Sequence, residues 1–189
     1  MFTSLLLRIL NKEASSQKSR ADEIIRDLGI REGFAIADIG SGGGYFTLLF
    51  ADRITKTGRV YAVDVKQDYL DFIRHLAQRA GINNVSYVLA EGGELDLPKA
   101  GLDLVFARNV YHHLPDPGSY FEELKKYLKP NGIIAIIEHK PKSGFSFVAL
   151  FKHHTSGLAI MKDMEKSGYV VVKSIDYLSG QSFILFRLH

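Results

Sequence analysis

The stretch Ala37-Asp-Ile-Gly-Ser-Gly-Gly-Gly-Tyr45 places four glycines within five residues, between a short apolar run and an amphipathic stretch. Glycine is needed where the backbone turns at positive φ, or approaches a ligand with no Cβ in the way. A helix that begins directly after such a loop presents free N–H groups and the positive end of its dipole there. Four glycines exceed what a plain turn needs, so the stretch predicts a ligand-binding loop between a strand and a helix.

Short apolar runs alternate with amphipathic stretches on both sides of this loop. Each run is apolar almost throughout, as expected for strands that are buried on both faces. The runs that we predict as strands are Phe34–Ile39, Arg59–Val63, Val85–Leu89, Leu102–Ala107 and Ile133–Ile137. Strand–helix alternation of this kind implies a parallel sheet with right-handed crossovers and helices on both faces.

Two of the amphipathic stretches have ends that can be read from the sequence. An apolar stripe after the second run predicts a helix that Gly81 stops. Asp116 and Pro117 have the residue types of an N-cap and a first helical position, so a second helix is predicted to begin there. Lys129-Pro-Asn-Gly132 is interpreted as the turn that ends this second helix.

The alternation of single strands and helices ends after residue 140. Ser156–Ser167 predicts a helix, which Gly168 would close. Tyr169–Asp176 and Ser182–Leu188 predict two strands joined by a short connection, which is an antiparallel hairpin. The predicted fold class is α/β: a doubly wound, mostly parallel seven-stranded sheet that ends in an antiparallel hairpin, with helices on both faces.

Composition narrows the classes of function. The chain has 189 residues, 46% of them hydrophobic, which suits a single domain with a sizeable core. The lack of cysteine in the sequence excludes disulfides, thiolate zinc sites and a thiol nucleophile. Lysine plus arginine (24) exceed aspartate plus glutamate (21) by 3, and no apolar run approaches the ~20 residues that span a bilayer. We therefore predict a single-domain cytoplasmic protein without a transmembrane segment.

The first residues predict an amphipathic helix. Its apolar positions are Phe2, Leu5, Leu6, Ile9 and Leu10. We predict residues 1–30 as an N-terminal helical cap and residues 31–189 as the main domain. The apolar stripe should be covered by the open carboxyl edge of the sheet, where it would roof a ligand cleft. The back of the sheet, a second subunit and a membrane surface are the alternatives.

Glycine spacing separates two kinds of nucleotide ligand. The dinucleotide fingerprint places its third glycine three positions after the second, but Tyr45 occupies that position and the glycine is Gly44. Asp38 adds a carboxylate that would repel a pyrophosphate and attract a ligand with sulfonium and ammonium groups. The loop therefore favours a cationic nucleoside over NAD, which leaves an NAD-binding oxidoreductase as the less favoured alternative.

A second carboxylate ends the next apolar run, Arg59-Val-Tyr-Ala-Val-Asp64. Ligands of open α/β sheets lie outside the carboxyl ends of the strands. Asp64 lies 20 residues after Gly44, and we predict that it accepts hydrogen bonds from both hydroxyls of a ribose. The alternative role is an N-cap for a helix that starts near Gln67, and the two roles are compatible.

Four motifs resemble, in order and spacing, those of the class I S-adenosylmethionine-dependent methyltransferases: ADIGSGGG, VYAVD, DLVFARNVYHHLPDP and LKPNGIIAIIE. They fall within residues 34–140, and the closing hairpin also resembles that family, whose sheet ends in one antiparallel strand. The resemblance implies a Rossmann-like fold over residues 31–189. It also implies S-adenosylmethionine as cofactor, S-adenosylhomocysteine as its product, and in-line displacement of the methyl group by an acceptor.

The resemblance further implies which residues hold the cofactor. They are Asp38, Gly40, Ser41, Gly42, Gly44, Asp64, Val65, Glu91, Gly92, Gly93, Arg108 and Asn109. Asp38 and the loop residues Gly40 to Gly44 in this list would surround the methionine part. Asp64 would hold the ribose, and Val65 would pack against the adenine. Many members have an aspartate where Gly93 stands, so Glu91, Glu94 or a backbone N–H would meet the adenine edge instead. Arg108 and Asn109 would border the methionine end and the acceptor.

Proton removal from the acceptor would fall to residues that follow the fourth strand. The candidates are His112, His113 and Tyr111, because these side chain types serve as general bases. Alignment of the reactants alone can supply roughly 7–11 kcal/mol of the barrier, so a dedicated base is not required. No metal site is predicted, because His112, His113, His153 and His154 have no acidic partner at ligand spacing.

The acceptor is predicted to be a small molecule, because the chain has no added RNA-binding domain. A basic cluster keeps RNA as an alternative, and its members are His139, Lys140, Lys142, Lys152, His153 and His154. A protein acceptor and a non-catalytic S-adenosylmethionine-binding protein are further alternatives, whereas arsenite methylation is excluded because it relies on cysteines. Residues 1–20 and Lys140–Thr155 are the predicted acceptor-binding segments, in a pocket that is open or completed by the second subunit of a homodimer.

Overall fold

One seven-stranded sheet forms the centre of the computed structural model, which describes residues 2–92, 94–140 and 155–189. Its strands are β1 (Ala35–Ile39), β2 (Arg59–Asp64), β3 (Val85–Leu89), β4 (Leu102–Arg108), β5 (Leu128–His139), β6 (Tyr169–Ile175) and β7 (Gln181–Leu188). They lie in the order β3-β2-β1-β4-β5-β7-β6. The pairs among β1 to β5 are parallel, and β7 pairs antiparallel with both β5 and β6. The predicted, mostly parallel sheet with a closing hairpin is confirmed.

Helices cover both faces of the sheet. Those within the described ranges are α1 (Phe2–Ala14), α2 (Ala21–Asp27), α3 (Tyr45–Arg53), α4 (Gln67–Arg79), α5 (Pro117–Leu124) and α6 (Gly157–Lys166). Side chains alternate along a buried strand, so each face has its own core. In β1, Ile36 packs with α2, α3 and α4, whereas Ile39 packs with α5 and α6. The sheet is therefore doubly wound, as predicted.

The start of α5 follows the predicted capping residues. The Asp116 side chain accepts a hydrogen bond from the backbone N–H of Ser119 at 3.2 Å, and Pro117 is the first helical residue. This cap fixes the point where the chain leaves the loop after β4 and returns along the sheet.

The predicted turn Lys129–Gly132 is wrong as the end of that helix. Strand β5 already begins at Leu128, which pairs with Leu102. The next pair is Ile133 with Leu104, so the four residues of the predicted turn bulge out between two paired positions. Because Leu128 already pairs with Leu102, the segment that follows it belongs to β5.

The apolar stripe predicted on α1 faces solvent. The exposed fractions are 59% for Leu5, 46% for Leu6, 54% for Ile9 and 38% for Leu10. The expectation that the domain covers this stripe is therefore wrong, while the side chain of Phe2 lies outside what the structure describes. Among the helices that are described, none has both the length and the hydrophobicity needed to cross a membrane. The division into a cap and a main domain at residue 30 stays a prediction.

Candidate active site

The carboxyl ends of β1, β2 and β4 meet around a cavity of about 1170 Å³. Because β1 lies between β2 and β4, this edge is the topological switch point, where open α/β sheets bind ligands. The predicted site residues that line the cavity are Asp38, Gly40, Ser41, Gly42, Gly44, Asp64, Val65, Gly92, Arg108, Asn109, His112 and His113. Glu91 and Tyr111 do not line it, and Gly93 lies outside the described residues.

The glycine loop is held tightly between the sheet and α4. Gly44 directly precedes α3 with φ +80°, a conformation that residues with a Cβ rarely adopt. A Cβ at this position would lie 2.6 Å from Cγ1 of Ile73 on α4, which is far inside normal contact distance. The loop can therefore take this path only with glycine at position 44.

Asp64 is tied to the glycine loop. Its Oδ2 accepts a hydrogen bond from the backbone N–H of Gly42 at 3.0 Å, and its Oδ1 accepts one from the backbone N–H of Lys66 at 3.1 Å. The N-cap residue of α4 is Lys66, so the alternative role of Asp64 as the helix N-cap is not what the structure contains. A carboxylate has about four lone-pair sites, so Asp64 keeps capacity for ligand hydroxyls.

Asp38 is a buried carboxyl at the floor of the cavity. Thr47, on the first turn of α3, donates its hydroxyl to Oδ2 of Asp38 at 2.5 Å. Burial raises the pKa of Asp38 to about 7, with the nearby charge of Asp64 adding to the rise and the Thr47 hydrogen bond opposing it. A cation bound beside Asp38 would stabilise its charged form. Thr47 was not predicted as a site residue.

Arg108 places a half-buried cation in the lining of the same cavity. Its guanidinium carbon lies 5.0 Å from the centre of the Phe46 ring, and burial lowers the pKa of Arg108. Nε of Arg108 is buried and has no hydrogen-bond partner among the described residues. A buried donor of this kind is costly unless an acceptor meets it. The cavity therefore suits a ligand that carries an anionic or strongly accepting group here.

Asn109 lines the cavity but its side chain is engaged by the sheet. It has φ +54°, a left-handed conformation that asparagine tolerates better than most residues. Its Oδ1 accepts a hydrogen bond from Nε2 of Gln181 at 2.7 Å, and its backbone N–H donates to Ile137 at 2.8 Å. These contacts fix the turn that follows β4, and Gln181 was not predicted as part of this region.

His112 is held by a buried carboxylate. Its Nδ1 lies 2.9 Å from Oε1 of Glu138, which is fully buried at the end of β5. Glu138 also accepts a hydrogen bond from the backbone N–H of His139 at 2.8 Å. The ring of His113 lies 4.0 Å from that of His112, and both line the cavity. Glu138 was missed, although it has the signal that identified Asp64: a carboxylate where a buried strand ends.

Tyr111 is buried away from the cavity. Its hydroxyl donates a hydrogen bond to Oδ2 of Asp163 on α6 at 3.1 Å, and its ring stacks on Phe121. Burial and the Asp163 charge raise the pKa of Tyr111. The structure therefore gives this side chain a packing role between α5 and α6.

The predicted adenine end of the cavity is open. Val65 is 69% exposed at its edge, and Gly92 has φ +63° beside it. Glu94 lines the cavity and forms ion pairs with Lys99 at 3.3 Å and Lys126 at 3.6 Å. Of the two glutamates suggested for the adenine edge, Glu94 alone reaches the cavity.

Helix α1 packs directly on the glycine loop. Leu7 is fully buried, and Asn11, one helical turn later, donates its side-chain N–H to the backbone oxygen of Gly43 at 2.7 Å. A Cβ at Gly43 would lie 2.2 Å from Oδ1 of Asn11 and 2.7 Å from the backbone oxygen of Leu7. Leu10, Glu13 and Ala14 line the cavity. The helix therefore roofs the cleft, but of the predicted stripe residues whose side chains are described, Leu10 alone lines the cavity.

No group of three histidine or acidic side chains within residues 2–92, 94–140 and 155–189 is arranged to hold a metal ion. His153, His154 and most of the predicted acceptor segment Lys140–Thr155 lie outside those ranges.

Sequence comparison gives two informative relatives. The chain is 34% identical over 110 residues to a protein-L-isoaspartate O-methyltransferase from Methanococcoides burtonii, which covers 58% of this chain and 51% of that protein. It is 30% identical over 166 residues to the ubiquinone/menaquinone biosynthesis C-methyltransferase UbiE from Psychromonas ingrahamii, which covers 82% of this chain and 64% of that protein. The chain thus spans about half to two-thirds of the length of these relatives.

Structure comparison identifies the fold, and a family model identifies the family. A crystal structure of an S-adenosylmethionine-dependent methyltransferase from Aquifex aeolicus superposes with a TM-score of 0.88 over 98% of both chains, at 21% identity. The family model described as "Methyltransferase domain" matches residues 30–172, which includes every cavity-lining strand end. The chain therefore belongs to the methyltransferase-domain family, whose fold is that of the class I S-adenosylmethionine-dependent methyltransferases.

Proposed function

We propose that this chain transfers the methyl group of S-adenosylmethionine to a small-molecule acceptor bound in the same cavity. The observation that carries the proposal is the pair of carboxylates beside the glycine loop, one on β1 and one on β2. Asp38 lies buried beneath the loop, and Asp64 is bonded to its Gly42 N–H at 3.0 Å. Asp64 could hold a ribose in either ligand, whereas the carboxyl group of Asp38 favours a cationic ligand over the pyrophosphate of NAD.

The residues present fit the parts of S-adenosylmethionine. Asp64 would accept hydrogen bonds from the ribose hydroxyls. Asp38 would attract the ammonium group, and Arg108 would supply its buried Nε–H to the carboxylate of the methionine part. Val65 and Gly92 would border the adenine. When bound, the cofactor supplies an electrophilic methyl group on a sulfonium.

The remaining chemistry is alignment of the acceptor and handling of its proton. Helix α1 and the turn that carries His112 enclose the cleft from two sides, which would restrict the acceptor to one approach and exclude water. Glu138 engages Nδ1 of His112, so the other ring nitrogen is the atom that would take a proton from an acceptor hydroxyl or acidic C–H. Glu138 would hold the ring and stabilise the imidazolium that forms.

The lining of the cavity favours an acceptor with apolar surface. Apolar or aromatic side chains contribute much of it, among them Leu95, Leu114, Pro115, Tyr120 and Leu124, while Asp116, Ser119, Glu123 and Lys126 add polar groups. Small-molecule sites have mostly apolar walls with a few placed polar groups. The name of the UbiE relative also favours a ring compound methylated on carbon. A protein acceptor is the second candidate, because the other relative is named for isoaspartate in proteins.

A two-stage experiment tests the proposal. Titration calorimetry with S-adenosylmethionine, S-adenosylhomocysteine and NAD comes first, and we expect binding of the first two only. Release of S-adenosylhomocysteine is then followed with a short-chain demethylated naphthoquinol and with an isoaspartyl peptide as acceptors. Micromolar binding of NAD without binding of the sulfonium ligand would overturn the proposal. Tight cofactor binding without turnover on a broad acceptor panel would instead favour a non-catalytic binding protein.

A further inference from the structure

Helix α1 turns most of its described large apolar side chains away from the protein. Leu5 and Ile9 lie on the side opposite buried Leu7 and are 59% and 54% exposed. The inward face instead uses Leu7, Asn11 and Ala14. A helix that merely caps a globular domain has the reverse arrangement, with its apolar stripe inward. Half of the exposed large hydrophobic residues among those described lie on this one helix: Leu5, Leu6, Ile9 and Leu10.

Cations flank the exposed apolar row. Arg8 and Lys12 lie beside it on α1 and are exposed, and neither forms an ion pair with any residue that the structure describes. Arg8 also lines a groove between α1 and α4, together with His75 and Arg79. No acidic side chain lines that groove in the described part of the chain. The acid of α1, Glu13, is exposed one helical turn beyond Ile9, at the end of the row, and it also lines the cavity.

We propose that this outward face of α1, the row Leu5, Leu6, Ile9 and Leu10 with Arg8 and Lys12 beside it, docks on an anionic lipid bilayer. Helices that lie in a membrane surface combine an apolar face with flanking basic residues in this way. The row lies on a single convex helix, which a fluid bilayer can envelop without a matching pocket. A stable dimer buries about 800 Å² per partner, which is much more than four partly exposed side chains provide.

The position of the row gives docking a consequence for the cleft. Leu10 belongs both to the exposed row and to the lining of the cavity, so the docking face adjoins the cleft at this side chain. A docked α1 would therefore hold the mouth of the cavity at the level of the lipid. This part rests on the proposed function: it assigns to the site an acceptor that dissolves in the bilayer.

Vesicle flotation tests the docking face without any need for turnover. The probes are vesicles of phosphatidylcholine alone and of phosphatidylcholine with phosphatidylglycerol. We expect the protein to float with the anionic vesicles and to be released by salt.

Leu5→Ser with Ile9→Ser should reduce the bound fraction about tenfold or more. The control is Leu158→Ser with Val172→Ser, at two sites that are 72% and 51% exposed on other elements, and it should leave binding unchanged. Arg8→Gln with Lys12→Gln should remove the preference for phosphatidylglycerol.

Three outcomes would overturn the docking proposal. They are failure to float with either vesicle, an equal loss of binding in the control, and a dimer in sedimentation that the Leu5→Ser and Ile9→Ser variant dissociates. Calorimetry of S-adenosylmethionine on each variant separates this proposal from the proposed function. The substituted residues do not line the cavity, so cofactor affinity should be the same in all of them.

Discussion

Oδ2 of Asp64 accepts a hydrogen bond from the backbone N–H of Gly42, and the two atoms lie 3.0 Å apart. The bond joins the end of β2 to the loop after β1, two segments that are neighbours in the sheet. Through its other oxygen the same carboxylate accepts from the N–H of Lys66, just before α4. One side chain thus fixes the shape of the loop and faces the ligand cavity, and its two effects should be separable by measurement.

The substitution Asp64→Ala should weaken S-adenosylmethionine binding and also lower stability. Loss of hydrogen bonds to a charged group should reduce affinity roughly ten- to a hundredfold. The N–H groups of Gly42 and Lys66 lose their acceptor, so the free energy of unfolding should fall by about 1–3 kcal/mol. Calorimetry and urea denaturation measure the two effects. Asp68→Ala, at an exposed site outside the cavity, is the control, and an equal loss of affinity there would contradict the assignment.

Stability without ligand should depend on pH through Asp38. Its pKa is raised from about 4 in the unfolded chain to about 7 in the fold. The neutral form therefore stabilises the fold fully below pH 4, and this stabilisation is lost as pH rises through 7. Asp38→Asn keeps an acceptor for the Thr47 hydroxyl and cannot ionise.

We expect Asp38→Asn to raise the melting temperature at pH 8 by roughly 2–4 °C or more, with a much smaller effect at pH 4. Thermal unfolding across this range gives the comparison. The same variant should bind S-adenosylmethionine more weakly, because the charge that attracts the ammonium is gone. A variant that is equally destabilised at both pH values would show that the ionisation of Asp38 is not the cause.

The sequence predicted the sheet well because the strands that are buried on both faces are apolar almost throughout. It also located Asp38 and Asp64, since carboxylates at strand ends stand out against such runs. Glu138 also ends a buried strand. Its partner His112 follows β4, however, and the two residues meet only because β4 pairs with β5, which the sequence does not show. The structure brings Glu138 to His112 across that pair.

The orientation of α1 could not be read from its hydrophobic pattern. The pattern favours Leu5, Leu6, Ile9 and Leu10 as the buried face. The inward face is decided instead by close approach to Gly43, which needs a hydrogen-bond donor at position 11. Tyr111 shows the converse case. Its position next to the histidines suggested a catalytic role, but its ring stacks on Phe121 and its hydroxyl donates a hydrogen bond to Asp163.

Replacing His112, which is paired with the buried Glu138, should reduce turnover without weakening the binding of the cofactor. His112→Asn should lower kcat by roughly 10²–10⁴-fold, the usual effect of losing a general base, on an acceptor that must lose a proton. Glu138→Gln, which keeps the shape but not the charge, should lower kcat in the same direction and change its pH profile. His75→Asn, at an exposed site outside the cavity, serves as the control and should leave kcat unchanged. Unchanged kcat in both His112→Asn and Glu138→Gln would remove the base from the mechanism.

Tyr111→Phe should affect stability rather than activity. The change removes the hydrogen bond to Asp163 while keeping the stacked ring, so the free energy of unfolding should fall by about 1 kcal/mol. Steady-state kinetics should give the wild-type kcat, because the hydroxyl does not line the cavity. A large fall in kcat with normal stability would return Tyr111 to the catalytic candidates.

Gly43→Ala should loosen α1 from the glycine loop. The new Cβ would lie 2.2 Å from Oδ1 of Asn11 and 2.7 Å from the backbone oxygen of Leu7. The side chain of Asn11 can rotate, but the backbone of Leu7 can move only with the helix, so α1 must shift. Overpacking of this kind costs about 1–3 kcal/mol. Limited proteolysis should then cleave α1 faster, and acceptor turnover should fall more than cofactor affinity because Leu10 and Ala14 line the cleft.

Gly118→Ala is the matched control for this change. At Gly118 on α5 the nearest atoms to an added Cβ are 3.5 Å and 3.6 Å away, which is ordinary contact, and neither glycine has positive φ. The control should therefore leave proteolysis of α1 unchanged. Adding Asn11→Ala to Gly43→Ala removes one of the two close contacts and should restore only part of the protection, because the contact with the Leu7 backbone persists. Complete restoration would mean that the Asn11 side chain alone sets the position of the helix, and equal behaviour of the two glycine variants would mean that α1 does not rest on the loop.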